Sequence, residues 1–164
     1  MNTTPAPGPV GPIVVGTDGS EPSRRAVLFA LREAQLRGVA VRAVCAYGGG
    51  HPEPSSRAMT GWSTAGAVPS PNLHDAVARE VADSVEELRR QAGEPYVEVE
   101  VLCERGRPTQ VLLEASQDAT MLVMGTRGAG FWGRLALGST STEVIHHAHL
   151  PVVVVPPEPD HSTG

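Results

Sequence analysis

Glycines and hydroxyl residues crowd one stretch of this chain, residues 120–156, which reads TMLVMGTRGAGFWGRLALGSTSTEVIHHAHLPVVVVP. An apolar run at 121–124 stops at Gly125, a loop with Gly128, Gly130 and Gly133 follows, and Gly138 leads into Ser139, Thr140 and Ser141. A strand, a glycine loop and a helix start in that order make an anion site. Glycine lets main-chain N–H groups approach a phosphate with no Cβ in between, and a first helical turn offers unpaired donors at the positive end of the dipole. Phosphate oxygens are therefore expected here. A plainer use of the same residues is turn-making and helix capping, and Thr140 with Glu143 has the spacing of a capping box.

The spacing is more specific than the glycine count. Two residues separate Gly125 from Gly128, nine separate Gly128 from Gly138, and Ser139 comes next. This resembles the nucleotide-binding signature of the universal stress protein family, G-2x-G-9x-G-[ST]. The run GSTSTEVIHHAHLPVVVV is similar to that family's last helix and strand. The resemblance covers residues 13–156 and implies an ATP-binding protein of the adenine nucleotide alpha hydrolase-like fold. It places Gly128, Gly138, Ser139, Thr140 and Ser141 on phosphate oxygens through N–H and hydroxyl donors. Gly125, Thr126 and Arg127 would line the ribose and triphosphate path, Gly16, Thr17 and Asp18 would face the nucleotide from the first strand, and Val44 would offer main-chain groups to the adenine edge. It also implies a homodimer through Val152–Val155.

Asp18 has two uses. A carboxylate beside a triphosphate needs a cation between them, which makes Asp18 a candidate Mg²⁺ ligand, directly or through water. Equally, its side chain suits a turn cap over Gly19 and Ser20. Arg127 and Arg134 are the cations of the glycine loop, and Arg127, inside the signature, is the better partner for a terminal phosphate. Phe131 and Trp132 could close the site, face a partner or pack beneath the loop. His146, His147 and His149 read as a solvated helix end rather than a metal site, because no Cys, Asp or Glu joins them at ligand spacing. No catalytic residue stands out: there is no nucleophile elbow, no H-E-x-x-H and no evident base to activate water.

Composition narrows the chemistry further. The chain has 164 residues, enough for one domain with a real core, and its net charge of -5 argues against nucleic acid and against a polybasic membrane patch. All 13 basic residues are arginine. Without lysine, neither a Walker A loop nor Schiff-base chemistry is available. Cys45 and Cys103 fall in separate apolar runs and read as buried free thiols, with a redox pairing between neighbouring strands as the alternative. No basic segment followed by an apolar core opens the chain, and Val152–Val155 is the longest aliphatic run, so neither a signal peptide nor a membrane span is expected and the protein is expected in the cytoplasm.

The elements that must position these residues follow from hydrophobic periodicity. Strands are predicted from residue 13 to the turn at Gly16, at 39–47, 97–102 and 121–124, and at Val152–Val155. Helices are predicted from the turn at Pro22 to about Arg37, over 73–92, from Pro108, and over about 140–148. In the second helix Glu86 and Arg90 have the spacing of a surface ion pair. Residues 97–102 alternate Val with Glu, which suits a sheet edge, as do the prolines bracketing Val152–Val155. Five strands alternating with four helices give an α/β fold, a single-domain, doubly wound, five-stranded parallel sheet; the strand order 3-2-1-4-5 comes from the resemblance. The domain is expected over 12–157, between a disordered lead at 1–11 and a disordered tail at 158–164. The Gly-, Pro- and Ser-rich segment 48–71 is expected to be a mobile insertion, with Met59 and Trp62 as contact points. The leading functional expectation is an ATP-binding, nucleotide-responsive regulatory or protective module of the stress response with at most slow hydrolysis. The alternatives are an interaction module of the same fold without nucleotide, and a weak ATPase or nucleotidyl enzyme.

Overall fold

Two apolar layers on opposite faces of one sheet hold the molecule together. The computed structural model describes residues 10–48, 73–93, 96–126 and 137–156. Its elements are β1 Ile13–Gly16, α1 Glu21–Arg37, β2 Val41–Gly48, α2 Leu73–Ala92, β3 Val99–Gly106, α3 Pro108–Ala115, β4 Met121–Gly125, α4 Ser139–His147 and β5 Val152–Val155. The five strands are parallel, in the expected order β3-β2-β1-β4-β5.

Side-chain alternation sorts the strand residues between the two layers. Ile13, Val15, Val41, Ala43, Met121 and Val123 face α1 and α2, where they meet Val27, Leu31, Val85 and Leu88. Val14, Val44, Leu122 and Met124 face α3 and α4, against Val111, Leu112 and Val144. Ile13, Leu31, Leu88 and Leu122 are fully buried, each contributing roughly 1.5–3 kcal/mol of transfer free energy. The helices lie on opposite faces because the winding reverses: β1 to β3 run one way along the sheet, β4 and β5 the other.

Local signals fix most element ends. Gly38 stops α1 in the left-handed conformation at φ 65°, with its N–H directed to the last carbonyls of the helix. Val111, Leu112 and Ala115 of α3 point inward as expected. Three expectations need correction. First, β3 runs on to Gly106, because Cys103, Glu104, Arg105 and Gly106 keep in register with Cys45, Ala46, Tyr47 and Gly48 after the apolar alternation has ended. Second, Glu86 pairs with Arg89 at 2.8 Å rather than with Arg90, which pairs with Glu87 at 2.7 Å; Arg89 also donates to the Val97 carbonyl, which draws it to that side of the helix. Third, α4 starts at Ser139 with Gly138 as its N-cap and no side-chain cap, so Thr140 and Glu143 form no capping box.

Cys45 and Cys103 face each other in register on β2 and β3 as free thiols, 5% and 4% exposed. Burial pushes the Cys45 thiol up to about 12 and raises Cys103 as well, so both are poor nucleophiles at neutral pH. The start of α2 is tied down beside them, with His74 Nε2 3.0 Å from the Cys103 carbonyl and its ring edge-on to Tyr47.

At the opposite end of the sheet Arg42 clamps three elements. Its guanidinium donates to Asp118 at 2.7 Å, to Glu100 at 2.8 Å and to the carbonyl of Ala115, the last residue of α3, at 2.9 Å. The Arg42 hydrogen bond holds the Asp118 carboxyl below its ordinary range. A depressed folded-state value means that the stabilisation is complete above the unfolded value of about 3.9 and fades as pH falls through the folded value. Asp118→Asn is therefore expected to be less stable than the parent at pH 7, by roughly 1 kcal/mol or less given solvent screening. The gap should narrow as pH falls below about 4 in urea melts; a gap independent of pH would contradict this role.

Candidate functional site

The sheet register brings the predicted site residues from β1 and β4 to one place. Ile13, Val14 and Val15 lie opposite Met121, Leu122 and Val123, so Gly16 and Thr17 leave the sheet beside Met124 and Gly125 at the point where the winding reverses. In open α/β sheets this crevice beyond the carboxyl ends of the strands is where ligands bind.

On the β1 side the chain turns sharply. Gly19 takes φ 74°, a left-handed conformation that favours glycine there. Asp18 Oδ1 accepts from the Ser20 N–H at 2.9 Å and from the Ser20 hydroxyl, so the turn-cap use of Asp18 is realised. Its other oxygen, Oδ2, accepts no hydrogen bond among the described residues. Thr17 is buried: its N–H extends the ladder to the Val44 carbonyl at 2.9 Å, and its hydroxyl lies 3.1 Å from Ser23 Oγ. Val44 is only 1% exposed, and the sheet already uses its carbonyl.

On the β4 side the base of the glycine loop is pinned shut. The Gly138 N–H donates to the Thr126 carbonyl at 2.8 Å, and the Thr126 N–H donates to Val155 at 3.2 Å. Ser141, 2% exposed, places its hydroxyl 3.1 Å from the Thr126 carbonyl and 3.0 Å from that of Gly138. The Ser141 hydroxyl thus anchors the helix start to β4, and what it leaves for a ligand is its main-chain N–H. Ser139 and Thr140 stand in the same first turn, their side chains without hydrogen bonds among the described residues. The N–H groups of Ser139, Thr140 and Ser141 therefore present three donors at the positive end of α4, with the first intrahelical bond coming from Thr142. Arg127 and Gly128, like Gly130, Phe131, Trp132, Gly133 and Arg134, lie outside the described residues, as do Met59 and Trp62.

Beyond Ser20, already placed in the turn by the sequence, Ser23, Thr109 and Arg107 contribute without having been singled out there. Ser20 and Ser23 support the β1 turn and are nearly buried. Thr109, at the start of α3, donates to Glu143 Oε2 of α4 at 2.8 Å, and Arg107 lies 3.4 Å from Glu143 Oε1. The signal available for these was position: hydroxyls at three-residue spacing after a strand end, and an arginine in G-R-P where β3 gives way to α3. His146, His147 and His149 are exposed, and no group of three or more potential metal ligands occurs among the described residues. None of the described helices is long and apolar enough to cross a membrane.

A parallel sheet that reverses its winding between β1 and β4, with helix-start amides that have no partner among the described residues beside the reversal, defines a doubly wound α/β protein. Residues 9–156 match the sequence model of the universal stress protein family, and the chain belongs to that family. Universal stress proteins of Mycobacterium tuberculosis and Mycobacterium bovis are each 34% identical to it over alignments covering 90% of this chain and 48% of theirs. The chain thus spans about half the length of these curated relatives. Among solved structures, a universal stress protein in complex with cAMP is 27% identical with a TM-score of 0.60, covering 91% of this chain and 98% of its own. A universal stress protein from Archaeoglobus fulgidus in complex with dAMP is 26% identical with a TM-score of 0.61, covering 88% and 96%.

Proposed function

We infer that this chain binds an adenine nucleotide at the carboxyl edge of its sheet, with ATP as the physiological form, and acts as a nucleotide-responsive regulatory or protective module in the stress response. The observation that carries the reading is the uncapped first turn of α4, whose three N–H donors open beside the β1–β4 reversal. Main-chain amides of this kind bind phosphate without a lysine, which suits a chain that has none. The cAMP and dAMP complexes of similar proteins support the choice of an adenine ligand.

Asp18 is the Mg²⁺ candidate. One oxygen is committed to the turn; the other, paired with phosphate oxygens and water, fits the ion's habit of taking one or two carboxylates while keeping much of its hydration. The metal would offset the repulsion between that carboxylate and a polyphosphate. Gly125 and Thr126 would border the ribose and phosphate path with Arg127 and Gly128, and Gly16 and Thr17 would face the nucleotide from β1. The nucleotide changes loop and dimer surfaces, and hydrolysis is slow at most.

Equilibrium dialysis with ATP and AMP, each with and without Mg²⁺, tests the reading. Binding of both, with ATP strengthened by Mg²⁺, is the expected result. Retention of neither would leave an interaction module of the same fold.

The homodimer is part of the same proposal. β5 is an edge strand, and a two-fold axis would pair it antiparallel with its own copy. The Leu122 and Thr126 N–H groups donate to the carbonyls of Pro151 and Val155, so residues 151, 153 and 155 point their main-chain groups at β4. By alternation Val152 and Val154 point theirs to the open edge.

A further inference from the structure

We propose that Arg107 is a side chain by which this site distinguishes a nucleotide bearing β and γ phosphates from a monophosphate, an inference that rests on the adenine-nucleotide reading above. Arg107 is the residue between β3 and α3, at the carboxyl edge of the sheet. Its guanidinium is held by Glu143 at 3.4 Å, with the two side chains 62% and 41% exposed. An exposed pair at that distance is weak and easily exchanged. Glu143 does not depend on it, because Oε2 keeps the 2.8 Å hydrogen bond from the nearly buried Thr109.

The position of Glu143 makes the exchange productive. Ser139 and Glu143 are four residues apart on α4, on one face and about 6 Å along the axis. The guanidinium therefore waits about one helical turn from the open amides, within the sweep of an arginine side chain. It lines a groove of about 240 Å³ between α3 and α4 together with Thr109, Gln110, Leu113, Glu114, Glu143 and His147.

Other described arginines near this edge stand on the α1–α2 side of the sheet, opposite α4. Arg24 pairs with Glu21, Arg25 donates to the Pro156 carbonyl at 2.7 Å, and Arg105 lies against Gly48 on the β2–β3 side. A polyphosphate offers Arg107 more charge and a bidentate geometry than one exposed carboxylate does. The α4 amides, by contrast, serve any phosphate, including the single one of AMP.

The test is the ratio of ATP to AMP affinity, by calorimetry, in the parent protein, Arg107→Gln, Glu143→Gln and the double variant. Arg107→Gln should lower the ratio roughly tenfold or more, the range for losing a charged hydrogen bond. The same loss should persist in the Glu143→Gln background. An unchanged ratio, or a double variant restored to the parent ratio, would overturn the proposal; the latter would mean that Arg107 only offsets the Glu143 charge. A parent protein that binds neither nucleotide would remove the site and this inference together, whereas a parent that binds both, with Arg107→Gln leaving the ratio unmoved, would remove the inference alone.

Discussion

Replacing Gly138 with alanine is expected to weaken adenine-nucleotide binding by about 10- to 100-fold while the protein stays folded. Gly138 sits at φ -66°, ψ 166°, a conformation open to any residue, so the substitution strains no backbone. Its N–H bond to the Thr126 carbonyl survives, and Gly138 contributes no side-chain cap to lose. Alanine at an N-cap costs on the order of 1 kcal/mol, part of which the stiffer unfolded chain offsets. What the methyl group changes is the approach of a phosphate to the amides that follow. Calorimetry with ATP alongside a thermal melt separates the two effects, and full affinity in a folded variant would show that the phosphate lies elsewhere. Gly128→Ala, combined with it, should deepen the loss.

Val154→Pro is expected to weaken the homodimer roughly tenfold or more. It removes an N–H that points to the open edge of β5, and two-fold symmetry makes that loss occur twice per dimer. The β4–β5 ladder is spared, because it runs through the main-chain groups of residues 151, 153 and 155, and an edge strand tolerates proline. A charge at Val153 is a poorer probe: its side chain packs against the layer shared with α1, so Glu or Lys there would disturb the core as well as the edge. Sedimentation over a range of concentrations reads the outcome. A dimer of unaltered strength would move the interface away from β5.

Much of the architecture was written in local signals. The valines of 97–101 alternating with glutamates, and the prolines around Val152–Val155, marked β3 and β5 as the two edges, where the sheet indeed ends. Periodicity and turn chemistry placed the end of α1 at about Arg37, where Gly38 stops it, and the sharp bend at Gly19. The order of the central strands came instead from family resemblance, since hydrophobic runs such as 13–15 and 121–124 look alike wherever both faces are buried.

The misses share a physical cause, which is pairing across elements. β3 outlasts its apolar pattern because β2 lies beside it, and Glu143 turns to Thr109 and Arg107 because α3 packs against α4. The Ser141 hydroxyl turns inward to the carbonyls of Thr126 and Gly138, so a side chain that reads as a ligand donor in the sequence fastens the helix start instead, leaving the main-chain N–H for the proposed phosphate. Asp18 is fastened likewise, its Oδ1 accepting from Ser20.

The proposed nucleotide binding depends on main-chain amides at the start of α4 receiving phosphate. Amide proton and nitrogen shifts, followed by NMR as ATP and then AMP are added to the isotopically labelled protein, address that contact atom by atom. The Ser139, Thr140 and Ser141 N–H signals should move most among those of α4 with either nucleotide, as a new hydrogen bond to each would require. Saturable binding that leaves those three signals in place would contradict it.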